Sequence, residues 1–268
     1  MPGQRHTPRP SPAADPGSWR VLGASVQGSS HEKARKPCQD AHVWRVTPAG
    51  ILVAAVADGS GSAPLGEAGA QAATRAAADA LCERLAGPPP ADDTAWHALL
   101  AHALGAARAA VEAAAAAHGA PPRDLATTLI ALVGTPDLVA AAQVGDGAAV
   151  AADAAGNVFP ITTPESGEYL NETTFLVSDG ALDAPQIRVW RGAVARFAVL
   201  SDGIEMLALR MPGGTPHAPF FVPLFRFVAG ASDAAQAQEE LAAFLRSPRV
   251  RERTDDDLTL VLAARIPT

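Results

Sequence analysis

Basic residues are in the minority in this chain. Lys and Arg number 21 against 28 Asp and Glu, so the 268 residues carry a formal net charge of −7. No basic stripe runs along any segment, which excludes a general nucleic-acid binder. Aromatics are only 5% of the chain, and much of the 48% hydrophobic content is Ala, a composition suited to close-packed helices beside a β core. There are just two cysteines, Cys38 and Cys82, with neither CxxC spacing nor His partners. That excludes a structural zinc site and makes a reduced, cytoplasmic setting the default. No uninterrupted apolar stretch reaches the roughly twenty residues of a membrane span. The opening MPGQRHTPRPSPAADPGS lacks the apolar centre of a signal peptide. Its Pro, Arg and Ser content predicts a disordered tail over residues 1–18, with a single domain over 19–268.

What is present alternates between β and helical character. WRVLGASVQG, from Trp19, reads as a strand, and SSHEKARKPCQDAH as a polar, basic loop. Ile51–Ala57 is apolar and bounded by Gly50 and Asp58-Gly59, the signature of a buried strand. Gly66 to Ala86 is rich in helix formers and is stopped by GPPP. Asp92-Asp93-Thr94 caps a second helix through Trp96 to about His118, where Gly119 and two prolines end it. A β block follows. It comprises Ala126–Val133, then LVAAAQVGDGAAVAAD read as a hairpin with Gly145-Asp146-Gly147 at its tip, then VFPIT, TTFLVS, IRVW and VARFAVLS. Helices are expected from Ile204, around Phe220–Val228 and from Ser232 or Asp233 to about Arg246, before a closing strand DDDLTLVLAARI. The order predicts an α+β fold with two largely antiparallel sheets packed face to face and helices outside. Such packing explains why ILVAAVA is apolar throughout rather than alternating.

One pattern recurs along the chain. An apolar strand runs straight into Asp, usually Asp-Gly, at Asp58, Asp146 and Asp202. DDDLTLVL reverses it at Asp256 and Asp257, and Asp40 sits in CQDAH. Any one such pair is an ordinary turn, which is the reading for Asp179-Gly180. Several carboxylates converging at strand ends repel one another unless a cation joins them, and Mg²⁺ or Mn²⁺ suits an all-oxygen site.

The ordered set Gln39-Asp40-Ala41, Ala57-Asp58-Gly59-Ser60-Gly61-Ser62, Ala126-Thr127-Thr128-Leu129, Val144-Gly145-Asp146-Gly147, Leu200-Ser201-Asp202-Gly203 and Asp256-Asp257-Leu258-Thr259 resembles the PPM-type (type 2C) metal-dependent protein phosphatases, in a compact bacterial branch. The resemblance runs from about Gly23 to Ala264. It implies a four-layer α-β-β-α sandwich with helix pairs outside, and two Mn²⁺ or Mg²⁺ ions. By resemblance, Asp58 bridges the ions, the Gly59 carbonyl binds one, and Asp202 and Asp256 bind the other. Gln39 stands where many members have a Glu ligand. Asp40 and Asp146 would orient water, and Arg35 would bind phosphate, with Lys33 and Lys36 as neighbouring alternatives. The implied reaction is direct attack on phosphoserine or phosphothreonine by a hydroxide bridging the ions. The implied partner is a phosphorylated protein, drawn from the sphere of a bacterial Ser/Thr kinase, with no nucleic acid or membrane. The alternative left open is a pseudophosphatase acting as a regulatory or binding module. Ser60 stands where some members carry a His general acid. Met206 stands where many carry a further Asp, with the adjacent Glu205 read onto a different helix face, so a third ion is not expected. His31 and His42 flank the first motif and could touch phosphate, with a surface or structural role the favoured reading for both, and Cys38 reads as packing.

Overall fold

The computed structural model describes residues 19–164 and 173–266; the tail expected over Met1–Ser18 lies outside them. The first half contains β1 (Trp19–Val26), α1 (Ser29–Ala34), β2 (Asp40–Val46), β3 (Leu52–Asp58), α2 (Gly66–Arg84), α3 (Asp93–His118), β4 (Leu129–Gly134) and β5 (Leu138–Val144). Then come β6 (Ala148–Asp153), β7 (Val158–Thr162), β8 (Gln186–Arg191), β9 (Val194–Leu200) and α4 (Glu205–Ala208). A small ladder of β10 (Leu209–Arg210) and β11 (Thr215–Pro216) precedes α5 (Ala218–Gly230), α6 (Ala234–Leu245), α7 (Pro248–Arg251) and β12 (Leu258–Arg265).

The strands form two five-stranded antiparallel sheets, ordered β1-β12-β9-β6-β7 and β2-β3-β4-β5-β8. Alternate residues of each strand serve different layers. In β3, Leu52, Ala54 and Val56 face the opposite sheet, while Val53, Ala55 and Ala57 pack under α2 and α3. In β12, Val261 and Ala263 face inward, while Leu258, Leu260, Leu262 and Ala264 meet α5 and α6. Both faces are therefore buried, and the expected α-β-β-α sandwich with helix pairs outside is the architecture found. Phe197, fully buried, packs at a tilt against Trp19 between the sheets with ring centroids 4.9 Å apart. By length and composition α3 could cross a membrane; here it packs Trp96, Leu100, Leu104 and Val111 into the core. Its ends are as the sequence predicts: the Asp92 side chain accepts from Ala95 N–H, and Gly119 closes it with φ of 65°.

Four expectations are corrected. The GDG segment is not the tip of a hairpin. β5 pairs with β4 and β8 while β6 pairs with β7 and β9, so Gly145-Asp146-Gly147 carries the chain from one sheet to the other. TTFLVS is not a strand but a series of turns pinned by Leu176 N–H to the Thr127 carbonyl at 2.8 Å. The loop after β1 contains the short helix α1. The helix expected from Ile204 is one turn of α-helix preceded by a 3₁₀ turn at Asp202–Ile204.

Candidate metal and phosphoryl site

The Asp-bearing strand ends converge on one end of the sandwich. β2 and β3 pair so that Asp40 and Asp58 are cross-strand partners. The Asp58 backbone is held by the threonines of the next motif: its N–H donates to Thr128 Oγ1 at 3.0 Å, and its carbonyl accepts from Thr127 Oγ1 and from Thr128 N–H, each at 2.8 Å. Gly59 N–H donates to the Gln39 carbonyl at 3.1 Å, and a Cβ on Gly59 would run into the Gly66 carbonyl, so only glycine lets this loop close on the first motif. Gly203 is equally tight against the Asp257 carbonyl, which brings the Ser-Asp-Gly turn onto the C-terminal acidic run.

Each carboxylate has a defined setting. Asp40 is buried, and Ser201 O–H donates to its Oδ2 at 2.8 Å, which couples β2 to the end of β9. Burial pushes the Asp40 carboxyl up to about 7, against the opposing hydrogen bonds from Ser201 and Thr259. Asp58 is raised well above the carboxylate range, by burial first and then by the charges of Asp40 and Asp202. Asp202 rises to about 6 through burial and then the Asp146 charge. Asp256 is raised by burial; its Oδ1 accepts from Asp257 N–H at 2.8 Å. Asp146 takes a hydrogen bond from Thr173 Oγ1 at 2.5 Å, and the Gln143 side-chain amide donates to the carbonyls of Gly145 and Gly147 on either side. Carboxyls this crowded and dry favour the protonated form unless a cation supplies the compensating charge.

The residues fit a hard divalent cation. Among the enclosed oxygens without a hydrogen-bond partner in the described residues, three belong to this site's candidate ligands: Asp40 Oδ1, Asp202 Oδ1 and Gln39 Oε1. Gln39 Nε2 donates to the Ala63 carbonyl at 2.9 Å, which fixes the amide so that its oxygen is the unsatisfied end. The donor set is carboxylate, amide and carbonyl oxygen, the preference of Mg²⁺ and Mn²⁺. Among the described residues no three His, Cys, Asp or Glu side chains are gathered into a preassembled cage, so much of an ion's shell would be water, as these hydrated ions favour.

The phosphate-binding candidates separate. Arg35 is exposed and caps α1 with φ of 56°, and its side chain has no hydrogen bond among the described residues. Lys33 lies in the exposed last turn of α1. Lys36, next in the chain, donates from Nζ to the Gly61 carbonyl at 2.8 Å, directly over the Asp58–Ser62 loop.

Glu205 is placed differently from expectation. It faces the acidic mouth: burial, then the charges of Asp202 and Asp146, raise its carboxyl to about 7. Met206 is the residue turned outward, 73% exposed. His31, of its expected settings, takes the buried one, with Nδ1 2.8 Å from Asp257 Oδ2. His42, also largely buried, bonds Ser25 Oγ at 2.8 Å, and Ser25 in turn meets Thr259. No local pattern marks His31 or Glu205; only the acidic run 255–257 hints that one of its members serves a partner other than an ion.

Residues 27–246 match the family model described as protein phosphatase 2C. The chain is 36% identical to serine/threonine-protein phosphatase 3 of Escherichia coli (strain K12) over 253 residues, 92% of this chain and 98% of that protein. Serine/threonine phosphatase Stp1 from Staphylococcus aureus superposes with a TM-score of 0.62 at 14% identity, covering 96% of this chain and 99% of that one. The catalytic domain of the serine/threonine phosphatase PstP, in complex with two manganese ions, gives 0.61 at 19% identity, with 92% and 98% covered. At those identities the likeness is one of fold.

Proposed function

Because the chain belongs to the protein phosphatase 2C family, we propose that its acidic rim is the centre of a Mn²⁺- or Mg²⁺-dependent phosphatase acting on phosphoserine and phosphothreonine in proteins. The observation that carries this reading is the meeting of Asp40, Asp58, Asp146, Asp202 and Asp256 from both sheets, with unsatisfied oxygens on Asp40, Asp202 and Gln39. Asp58 and the Gly59 carbonyl would hold one ion, and Asp58, Asp202 and Asp256 the other, with the Gln39 amide oxygen adding an uncharged ligand. Asp40 and Asp146 would orient the surrounding water. When bound, the ions supply Lewis acidity: a water of lowered pKa and neutralisation of phosphoryl charge. The chain's own contribution is to hold the carboxylates rigidly, through Ser201 on Asp40 and the Thr127–Thr128 brace on Asp58, so that little reorganisation accompanies the reaction.

The same proposal assigns catalysis to residues 19–268, leaving residues 1–18 outside the catalytic unit; the family match beginning at residue 27 supports this. It also places the protein in a bacterial cytoplasm, opposite a Ser/Thr kinase. Two unpaired cysteines fit that compartment. No observation favours the regulatory-module alternative.

The test is hydrolysis of p-nitrophenyl phosphate and a phosphothreonine peptide with Mn²⁺, Mg²⁺ or EDTA, beside Asp58→Ala and Asp202→Ala. Turnover that needs the metal and disappears in both variants is expected. A folded protein with no turnover under any of these conditions would overturn the reading.

A further inference from the structure

His31 belongs to none of the roles above, yet its surroundings are built. Asp257 is 2% exposed and receives three hydrogen bonds: from Gly28 N–H to Oδ1 at 2.6 Å, and from Gln39 N–H at 2.6 Å and His31 Nδ1 at 2.8 Å to Oδ2. A carboxylate already accepting two backbone N–H groups makes Nδ1 the donating nitrogen of His31. The tautomer is thereby set, and Nε2 is left free of that bond. Nε2 has no hydrogen-bond partner among the described residues and is not one of the enclosed polar atoms. It lies 3.7 Å from where a Cβ of Gly61 would sit. That places it against the loop that begins with Asp58-Gly59. A carboxylate orients one ring nitrogen while the other lies unbonded beside the Asp58–Ser62 loop, an arrangement that suits a general acid–base imidazole.

We propose that His31, oriented by Asp257, is the proton donor to the leaving seryl or threonyl oxygen. As the new P–O bond forms from water, the P–O bond to the side chain breaks and its electron pair stays on the leaving oxygen. The Nε2 proton of His31 moves to that oxygen, so the product departs as a neutral alcohol. The imidazole, now neutral, takes its next proton from solvent, and the attacking water's proton is released to solvent.

The inference rests on the phosphatase reading, and one experiment separates the two. His31→Asn keeps an amide N–H near the position of Nδ1 for Asp257 and removes Nε2. Its Mn²⁺ binding, measured by calorimetry, should match that of the unaltered protein, which checks that the site is intact. An alkyl phosphate such as a phosphoserine peptide needs leaving-group protonation, whereas p-nitrophenolate leaves without it. Turnover of the peptide should fall about 100-fold, while p-nitrophenyl phosphate changes by no more than about threefold. Equal losses on both substrates with Mn²⁺ binding weakened, or no loss on the peptide, would make His31 structural and overturn the inference. An unaltered protein that hydrolyses neither substrate would overturn the phosphatase reading, and this inference with it.

Discussion

Asp58, at the end of β3, and Asp202, just after β9, are carboxyls contributed by opposite sheets, and each is raised by burial and by nearby carboxylates. A divalent cation would take the place of the protons that this crowding favours. Cation binding is therefore coupled to proton release. Mn²⁺ affinity should rise with pH as Asp202, at about 6, and Asp40, at about 7, lose their protons. Calorimetry in buffers of different ionisation enthalpy should record the released protons; an affinity independent of pH would contradict the coupling.

Stability should show the opposite sign in EDTA. Carboxyls whose folded pKa lies above the ordinary range hold protons that the unfolded chain gives up. Their contribution is present at low pH and is lost as pH rises through the folded values. Thermal unfolding in EDTA should thus give a lower Tm at about pH 8 than at about pH 5, and saturating Mn²⁺ should reverse the trend.

Glu205 and Met206 offer a paired test. Glu205→Gln removes a charge beside Asp202 and Asp146 and should weaken Mn²⁺ binding about tenfold. Met206→Ala, on the outward side, should leave it unchanged. Equal effects from both would mean that Glu205 does not act on the ions through its inward face.

Lys36 and Arg35 form a second pair. Lys36→Met removes the ammonium held on the Gly61 carbonyl and should raise KM for a phosphopeptide several-fold, on the order of 5-fold, with kcat less affected. Arg35→Gly relieves a non-glycine residue at positive φ and should stabilise the fold by up to about 1 kcal/mol in urea unfolding. A larger KM effect from Arg35 than from Lys36 would restore Arg35 as the phosphate contact.

Gln143 holds the crossover. Its Nε2 donates to the Gly145, Gly147 and Thr163 carbonyls at 2.9, 2.7 and 3.0 Å. Gln143→Leu would leave these groups without their buried donor and should cost about 1–3 kcal/mol in urea unfolding. It should also slow turnover by loosening Asp146. A stable variant with normal turnover would remove Gln143 from the positioning of Asp146.

Asp58 and Asp202 were legible because each ends an apolar run long enough to be a buried strand, and a carboxylate there must sit at the rim. The Gly-Asp-Gly at 145–147 was legible as a site but not as a crossover. The same turn residues close a hairpin or pass between sheets, and the choice is made by distant partners, β4 and β8 on one side and β7 and β9 on the other. TTFLVS has strand-like residues, but its Leu176 N–H is taken by the Thr127 carbonyl and the segment closes into turns instead. Glu205 was misplaced because a continuous helix from Ile204 was assumed. The 3₁₀ turn at Asp202–Ile204 changes the phase of the helix that follows, and with it the residue that faces inward. The contact of His31 with Asp257 was not legible because the two lie at opposite ends of the chain.

β12 sits between β1 and β9 in its sheet, so the first and last strands described here are neighbours. The segment that leads into β12 brings Asp256 for the ions and Asp257 for His31. A chain emerging from the ribosome, or one trimmed by a protease before β12, would lack the middle of a sheet and two carboxylates at once. Activity should therefore appear only with the finished chain, and a half-made protein would strip no phosphates from its neighbours.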